Sequence, residues 1–315
     1  MRRYDCGVLL FALILFLAAG PVYAGGIWLS LQPTPDMGVG SAGSQAAGFD
    51  ASTATANPAA MTRLDRSQME AGIMGLYVDS QFNVKNSSNG DNGGGNAGYF
   101  SPVPTLNYVH SLSPDLKLGL GVGSYFGFGL NYSNEWAGKY YVQNASITTL
   151  AFNPTIGYKI APWLSIGGGV SVVEGKLSER VAVNTLAEPG DGRLKYDASD
   201  VGFGYNLGVL FELRPQTRVG VTYVSKVDLE FKDEMRFKNL DGTLLGAALR
   251  ASGLLDAQLK IDMTIPAQLS VGAYALIDAG SAKVNRSGGP LKGDLEGEYD
   301  TNFIHAVNVN FVYRF

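Results

Sequence analysis

Cysteine is almost absent: Cys6 is the single one among 315 residues, and it lies ahead of an apolar stretch from Val8 to Ala19. A disulfide framework, a thiol nucleophile and a cysteine metal site are excluded from the remainder of the chain. Histidine is nearly as scarce, with His110 and His305 on separate segments, which leaves a histidine metal site without partners. No G-x-S-x-G occurs, and the one G-x-G-x-x-G, Gly38 to Gly43, follows Pro33 and Pro35 with no strand or helix pattern to frame it. No cofactor is expected, and enzymatic activity is not. Basic residues are outnumbered, 24 against 28, for a formal charge of −4, so nucleic acid is not an expected partner. Long apolar runs are missing too. Val8 to Ala19 falls short of the roughly 20 residues of a membrane-spanning helix. With Arg2 and Arg3 before it and Val22-Tyr23-Ala24 after it, the pattern is that of a cleaved export signal over residues 1–24.

What the chain has in quantity is glycine and aromatics, with Gly 41, Tyr 16 and Phe 15, and hydrophobic residues at 46%. Their arrangement alternates with period two, the side-chain period of a strand. From Leu116 to Tyr132 the even positions carry Leu118, Leu120, Val122, Phe126, Phe128 and Leu130, while glycine fills most odd ones. Comparable alternation recurs at 164–172 and 201–211. Soluble sandwiches also alternate. The connections distinguish the two: short turns at Ser113-Pro114-Asp115, Ala161-Pro162-Trp163 and Arg214-Pro215-Gln216 take turns with long polar segments at 85–98, 131–143 and 186–193. Tight turns on one side and long loops on the other are the habit of outer-membrane barrels. The closing segment ends in Phe311, Tyr313 and Phe315 at alternate positions, an aromatic girdle for such a barrel. Residues 25–66 do not alternate and are too poor in bulky apolar residues to form a core of their own. A plug in the lumen, spanning 25–66, with a barrel over 67–315, is the expected organisation.

Gly25-Gly26-Ile27-Trp28-Leu29, the glycine-rich step from Met37 to Gly43, Asp50-Ala51-Ser52-Thr53 and above all Asn57-Pro58-Ala59-Ala60-Met61 resemble the N-terminal hatch of the outer-membrane long-chain fatty acid and aromatic hydrocarbon transporters. The resemblance continues through 118–131, 202–213, 218–231 and the closing strand, covering nearly the whole chain after residue 24. It implies an all-β transmembrane antiparallel barrel of 14 strands, an even count as bacterial barrels require, with the hatch in the lumen. It further implies outer-membrane transport of hydrophobic small molecules that leave sideways through an inward kink of the third strand. Asn57, Pro58 and Ala59 are then the hatch side of the gate, and Tyr125, Phe126, Gly127 and Gly129 the kink facing it; that the lumen-facing glycines of this strand only leave room for the hatch is the plainer alternative. Arg180 matches the position of a basic lumen residue that meets the ligand's carboxylate, a task suited to a guanidinium; an ion pair with Glu179 is the plainer alternative. Leu244, Leu245 and Leu249 suit a short amphipathic helix in an outer loop, either an entry groove for greasy ligands or a self-packed loop. The implied surroundings are outer-membrane lipid and lipopolysaccharide, and Phe315 resembles the signal read by barrel-assembly machinery.

One departure stands out. Members of the family have more residues between the Pro266 region and the closing strands. About ten strands are legible here, at 67–82, 100–110, 116–131, 143–160, 164–185, 194–212, 217–232, 256–265, 268–285 and 292–315. Pro266 is expected to reverse the chain between the eighth and ninth; one continuous strand there would make nine and put the chain ends on opposite sides. Internal loss of about four strands from a 14-strand ancestor accounts for the even count. An outer-membrane lipid hydrolase using serine with His110 or His305, and a structural or adhesin barrel, are the competing functions.

Overall fold

The computed structural model describes residues 34–90, 92–124, 126–185, 190–214, 217–255, 257–275 and 297–314. The expected export signal, the first part of the expected hatch, Tyr125 and Phe315 lie outside the described residues.

Thirteen strands are assigned, β1 Gln68–Val84, β2 Phe100–Ser111, β3 Leu116–Gly123, β4 Gly127–Asn131, β5 Asn144–Ala161, β6 Leu164–Val183, β7 Gly192–Arg214, β8 Thr217–Val224, β9 Val227–Glu234, β10 Arg236–Lys238, β11 Gln258–Ile265, β12 Gln268–Ala275 and β13 Gly297–Arg314. The main sheet is antiparallel in the order β12-β8-β7-β6-β5-β3-β2-β1-β13, with β4 continuing the third strand beside β5. Most neighbours in sequence are neighbours in space, and the Pro-centred turns at Pro114 and Pro162 join β2 to β3 and β5 to β6.

Residues 35–63 form four short turns of helix, a 3₁₀ turn Pro35–Val39, α-helical turns Ser44–Ala47 and Thr53–Ala56, and a 3₁₀ turn Pro58–Arg63. These turns touch β2, β3, β5, β6, β7, β8 and β12. Seven strand positions laid flat span roughly 30 Å at 4.8 Å each, too wide for one short segment to reach. The sheet is therefore curled around it, with Ala46, Ala51, Ala54, Asn57, Ala59, Ala60 and Met61 fully buried.

The curl settles which face meets what. Inward-facing Glu70, Asn107, Lys117, Asn153, Ser165, Asn206 and Arg218 are buried, while outward Ile156, Ile166, Val170, Phe203, Leu207 and Leu269 are exposed. A polar interior beneath an apolar exterior inverts the order of a soluble sandwich and is that of a barrel in lipid.

Two expectations about strands are corrected. The third strand is not one strand of constant face. Gly123 pairs with Ala151, but Gly127 pairs with Thr148, so one extra residue has entered the strand between them. A bulge of this kind exchanges the faces. Leu118 consequently points outward, 42% exposed, whereas Phe126 is turned inward and buried.

The second correction concerns Pro266, which does not reverse the chain. β8 with β12 and β9 with β11 keep one continuous antiparallel register, Thr217 opposite Ala275 through Glu234 opposite Gln258, interrupted at Ser225-Lys226 and Pro266-Ala267. Proline breaks the ladder by lacking an N–H, without turning it. Counted by reversals, nine strands run among the described residues, and β12 and β13 at the two ends of the order point the same way. The chain between them, 276–296, lies outside the described residues.

The interruption has a structural outcome. β9 and β11 leave the wall as a separate two-stranded sheet and lie over the inner face of β7 and β6. Val227 and Leu229 press on Gly202, and Leu229 and Phe231 on Gly175, at positions where a Cβ would collide. The Tyr196 hydroxyl donates to the carbonyls of Phe231 at 2.9 Å and Leu259 at 3.1 Å. Charged residues alternate on the other side of this hairpin, Asp228, Glu230 and Lys232 on β9 with Lys260 and Asp262 on β11, joined by ion pairs. Such a face is costly in hydrocarbon, which is reason enough for it to leave the wall.

Candidate functional site

Asn57 is wholly buried and fully used. Its amide nitrogen donates to the carbonyls of Gln45 at 2.6 Å and Val209 of β7 at 3.2 Å, and its side-chain oxygen accepts from the Ala59 N–H at 3.0 Å. One side chain thus caps the turn Pro58–Arg63 and fastens it both to the preceding turn and to the wall. Pro58 and Ala59 lie against three glycines that face one another across adjacent strands, Gly157 of β5, Gly167 of β6 and Gly208 of β7. A Cβ would come 2.3 Å from the Pro58 carbonyl at Gly157, 2.5 Å from the Ala59 nitrogen at Gly167 and 2.1 Å from the Asn57 side-chain oxygen at Gly208. Only glycine admits backbone so close.

The expected opposition of Asn57, Pro58 and Ala59 to the third-strand kink is accordingly not what the structure has. The Asn-Pro-Ala step faces β5 to β7, because the glycine row provides the depth it needs there. The third strand meets other parts of the segment: Met61 and Ala54 lie at Gly119, and Thr55 at Gly121.

The kink region itself is a gap in the wall. β2 and β3 are paired from Ser111 opposite Lys117 to Thr105 opposite Gly123. Beyond Gly123 the third strand keeps β5 as its partner and, among the described residues, pairs no further with β2; the Asn131 N–H instead reaches the Ala97 carbonyl, in the segment before β2, at 2.8 Å. Pro102 and Pro104, with no N–H to offer, stand on the β2 side. Among the described residues nothing comes nearer the notional Cβ of Gly127 than the Ile147 carbonyl at 3.8 Å, and the Tyr99 ring lies over Gly129.

Phe126 connects this gap to the interior. It belongs to an apolar lumen cluster with Ile147, Ala151, Val173, Tyr196, Leu229, Phe231 and Ile265, against which Phe128 packs. Below the cluster, a small cavity of about 40 Å³ lies between Thr55, Asn153, Ser171 and Asn206 on one side and Val173, Val227 and Ile265 on the other. That holds a water or two and is too small for a fatty acid.

Arg180 is placed outside the lumen. It shares the outward parity of Ile166 and Val170 on β6, is exposed, and stands opposite Lys195 on β7 and Asn144 on β5. The inward neighbour is Glu179, so the match by sequence position misjudged the face by one residue. Leu244, Leu245 and Leu249 do form the expected helix, Leu244–Ala251, capped by the Thr243 hydroxyl accepting from the Gly246 N–H. Leu245 and Leu249, four residues apart, share a half-buried face, while Leu244 on another face is 88% exposed. His110 Nδ1 is 3.4 Å from the Ser67 hydroxyl and nearer, at 3.1 Å, to the Tyr108 hydroxyl; His305 stands on β13 opposite Tyr77.

The glycine row, the inward hairpin and the buried Lys117 were not singled out from the sequence. The signal for the hairpin was present, in the alternating charges from Asp228 to Lys232.

A family model described as outer membrane protein transport protein (OMPP1/FadL/TodX) matches residues 15–280. Outer membrane protein P1 of Haemophilus influenzae is 27% identical over 278 residues, covering 74% of this chain and 60% of the relative. A long-chain fatty acid transport protein of Escherichia coli is 24% identical over 249 residues, covering 71% of this chain and 55% of the relative. The chain thus spans somewhat over half the length of these curated relatives. Among solved structures, a FadL homologue of Pseudomonas aeruginosa superposes with a TM-score of 0.72 at 19% identity, covering 81% of this chain and 67% of the other. The toluene transporter TbuX of Ralstonia pickettii superposes with a TM-score of 0.52 at 20% identity, covering 76% and 67%. These likenesses are of fold.

Proposed function

The chain belongs to the outer membrane protein transport protein family (OMPP1/FadL/TodX), a family of outer-membrane β-barrels, and from that premise we propose that it passes hydrophobic small molecules into the membrane sideways, through the gap between β2 and the third strand. Relatives named for long-chain fatty acid and for toluene transport set the ligand class. The observation that carries the reading is the position of Phe126, shared by the apolar lumen cluster and the edge of the gap. A greasy molecule in the lumen meets apolar side chains until it reaches a stretch of wall without a hydrogen-bonded ladder to cross.

In this reading residues 1–24 are removed on export, 25–66 are the hatch and 67–315 the barrel. The hatch, seated on the glycine row, closes the straight route, and Tyr125, Phe126, Gly127 and Gly129 form the lateral gate. Leu245 and Leu249, with Leu244 beside them, offer the first apolar contact outside. Lipid and lipopolysaccharide surround the barrel, and Phe315 is the handle for its assembly. Arg180 has no part in ligand capture.

Uptake of labelled oleate and labelled toluene by cells with and without the protein tests the function. Faster uptake of at least one supports it, and equal rates for both refute it. The Ser67–His110 contact gives the hydrolase alternative little footing, since Tyr108 holds the same nitrogen more closely.

A further inference from the structure

The outward face of β7 changes character along its length. Phe211, Val209, Leu207, Tyr205, Phe203 and Val201 are all apolar, the last four of them exposed. At roughly 3.3 Å per residue and a tilt of about 40°, that run stands about 25 Å tall, the height of the apolar band of an outer-membrane barrel. Phe211 lies toward the end joined to β8 by two residues, and Val201 toward the end joined to β6 by eight. Short connections face the periplasm and longer ones the outside, so the outer edge of the band is at Val201.

Beyond that edge the same face turns basic. Arg180 of β6 stands opposite Lys195 of β7, and Lys195 opposite Arg236 of β10, which sets one cation on each of three adjacent strands in a single row. Arg193 and Lys238 make the next row, opposite each other on the same face. Lys195 is half-buried and the other four are exposed. Lys195 pairs with Asp197 at 2.6 Å and Arg236 with Asp233 at 3.5 Å, while Arg180, Arg193 and Lys238 have no ion-pair partner among the described residues. Like charges directly opposite across a ladder are destabilising, and the chain as a whole is acidic, with a formal charge of −4. Five cations held in register against two carboxylates point to an anion from outside. The Lys195 row is six residues past Val201, roughly 15 Å above the edge of the hydrocarbon. That is the level of sugars and not of acyl chains, and lipopolysaccharide is the outer-leaflet molecule that carries phosphates and carboxylates on its sugars there.

We propose that Arg180, Lys195 and Arg236, with Arg193 and Lys238 beside them, bind the phosphate- and carboxylate-bearing core sugars of one lipopolysaccharide molecule. The guanidinium groups grip phosphate oxygens with two N–H groups at a time, and Lys195 adds a point charge. β10 is joined to β7 by only three residue pairs, so the bound anion also pins it to the wall. The inference rests on the outer-membrane placement and not on the transport route, so a barrel that moves no oleate or toluene could still carry this site.

The test is titration of the purified full chain, in uncharged detergent, with fluorescent lipopolysaccharide. Joint replacement by Arg180→Gln, Lys195→Gln and Arg236→Gln is expected to weaken binding at least about tenfold, and Arg180→Gln alone about fivefold. The triple variant takes like charges out of one row, so without lipopolysaccharide it is expected to melt no lower than the native chain; if it does not fold, the exposed Arg180→Gln decides by the same titration. Enzymatically dephosphorylated lipopolysaccharide is expected to bind the native chain about fivefold or more weakly. Lys226→Gln removes a cation that pairs with Asp228 at the inward hairpin, and is expected to keep full affinity. Unchanged affinity in the triple variant or in Arg180→Gln, an equal loss in Lys226→Gln, or binding of phosphatidylglycerol as tight as that of lipopolysaccharide would overturn the proposal, the last because any anionic lipid would then serve.

Discussion

The two sides of the curled sheet use glycine to opposite ends. Along β5, β6 and β7 the ladders are long and continuous, β6 and β7 pairing from Leu164 opposite Phe211 to Val183 opposite Gly192, and Gly157, Gly167 and Gly208 are recesses into which the hatch is pressed. Beside β2 the ladder stops at Gly123, and among the described residues Gly127 has no neighbour closer to its notional Cβ than 3.8 Å. A strand glycine is a seat where both neighbouring strands hold their register, and part of an opening where one neighbour is lost. Composition alone does not separate the two cases; pairing does.

The contrast is broken most severely on the seated side. Gly167→Val puts side-chain atoms where the Ala59 nitrogen and Pro58 already are. Overpacking against backbone of this kind is expected to cost about 3 kcal/mol or more, read as loss of the folded, heat-modifiable band on gels or as a lower urea midpoint. Asn57→Ala comes next. Strands and glycines stay as they are, but the Gln45 carbonyl and the Ala59 N–H lose their side-chain partner, at about 2–3 kcal/mol. A loosened hatch is expected to admit small antibiotics, seen as greater sensitivity of intact cells.

On the open side the balance of effects reverses. Among the described residues Gly127→Ile meets nothing closer than 3.8 Å at its Cβ, so the unfolding free energy from urea titration should change by less than about 1 kcal/mol, while uptake falls about tenfold, equivalent to about 1.4 kcal/mol on the barrier. The same substitution at position 167 would do its damage to folding.

The smallest effect concerns the outer loops. Burial pushes the Asp191 carboxyl up, and hydrogen bonds from Lys139 and Tyr140 outweigh it, leaving the group below its ordinary 3.8. Lys139 is held above 10.5, chiefly by its bond to Asp191. A depressed acid contributes stability above its unfolded pKa and loses it as pH falls through the folded one; a raised lysine contributes below its unfolded pKa and loses it as pH rises through the folded one. The loop contact is therefore expected to hold from about pH 4 to about pH 10 and to loosen outside that range. The fluorescence of Trp136, in the same loop as Lys139, follows it.

Much of the architecture was legible because strand periodicity is local. β1, β2, β5, β6 and β7 fall where the alternation puts them, and turn chemistry at Pro114 and Pro162 fixed their order. What escaped depended on partners. Phe126 sits on the same odd-even register as Leu118 in sequence, and a single bulge residue sends one inward and the other outward. Arg180 was carried over by position without its face. Pro266 has the composition of a turn but lies in a strand whose partner hairpin keeps register across it. Of the site, Phe126, Gly127 and Gly129 do border the gap. Asn57, Pro58 and Ala59 are pivotal for a different reason, as the piece of hatch that fits the glycine row.

The central claim is that molecules leave between β2 and the third strand. In a Cys6→Ser background, Ser101→Cys and Gly127→Cys can be joined across the gap by a short, reducible bis-thiosulfonate linker and uptake of labelled oleate measured before and after reduction. Lateral exit requires that the linked barrel lose uptake and regain it when the link is cut. Unchanged uptake through a fully linked barrel would contradict it.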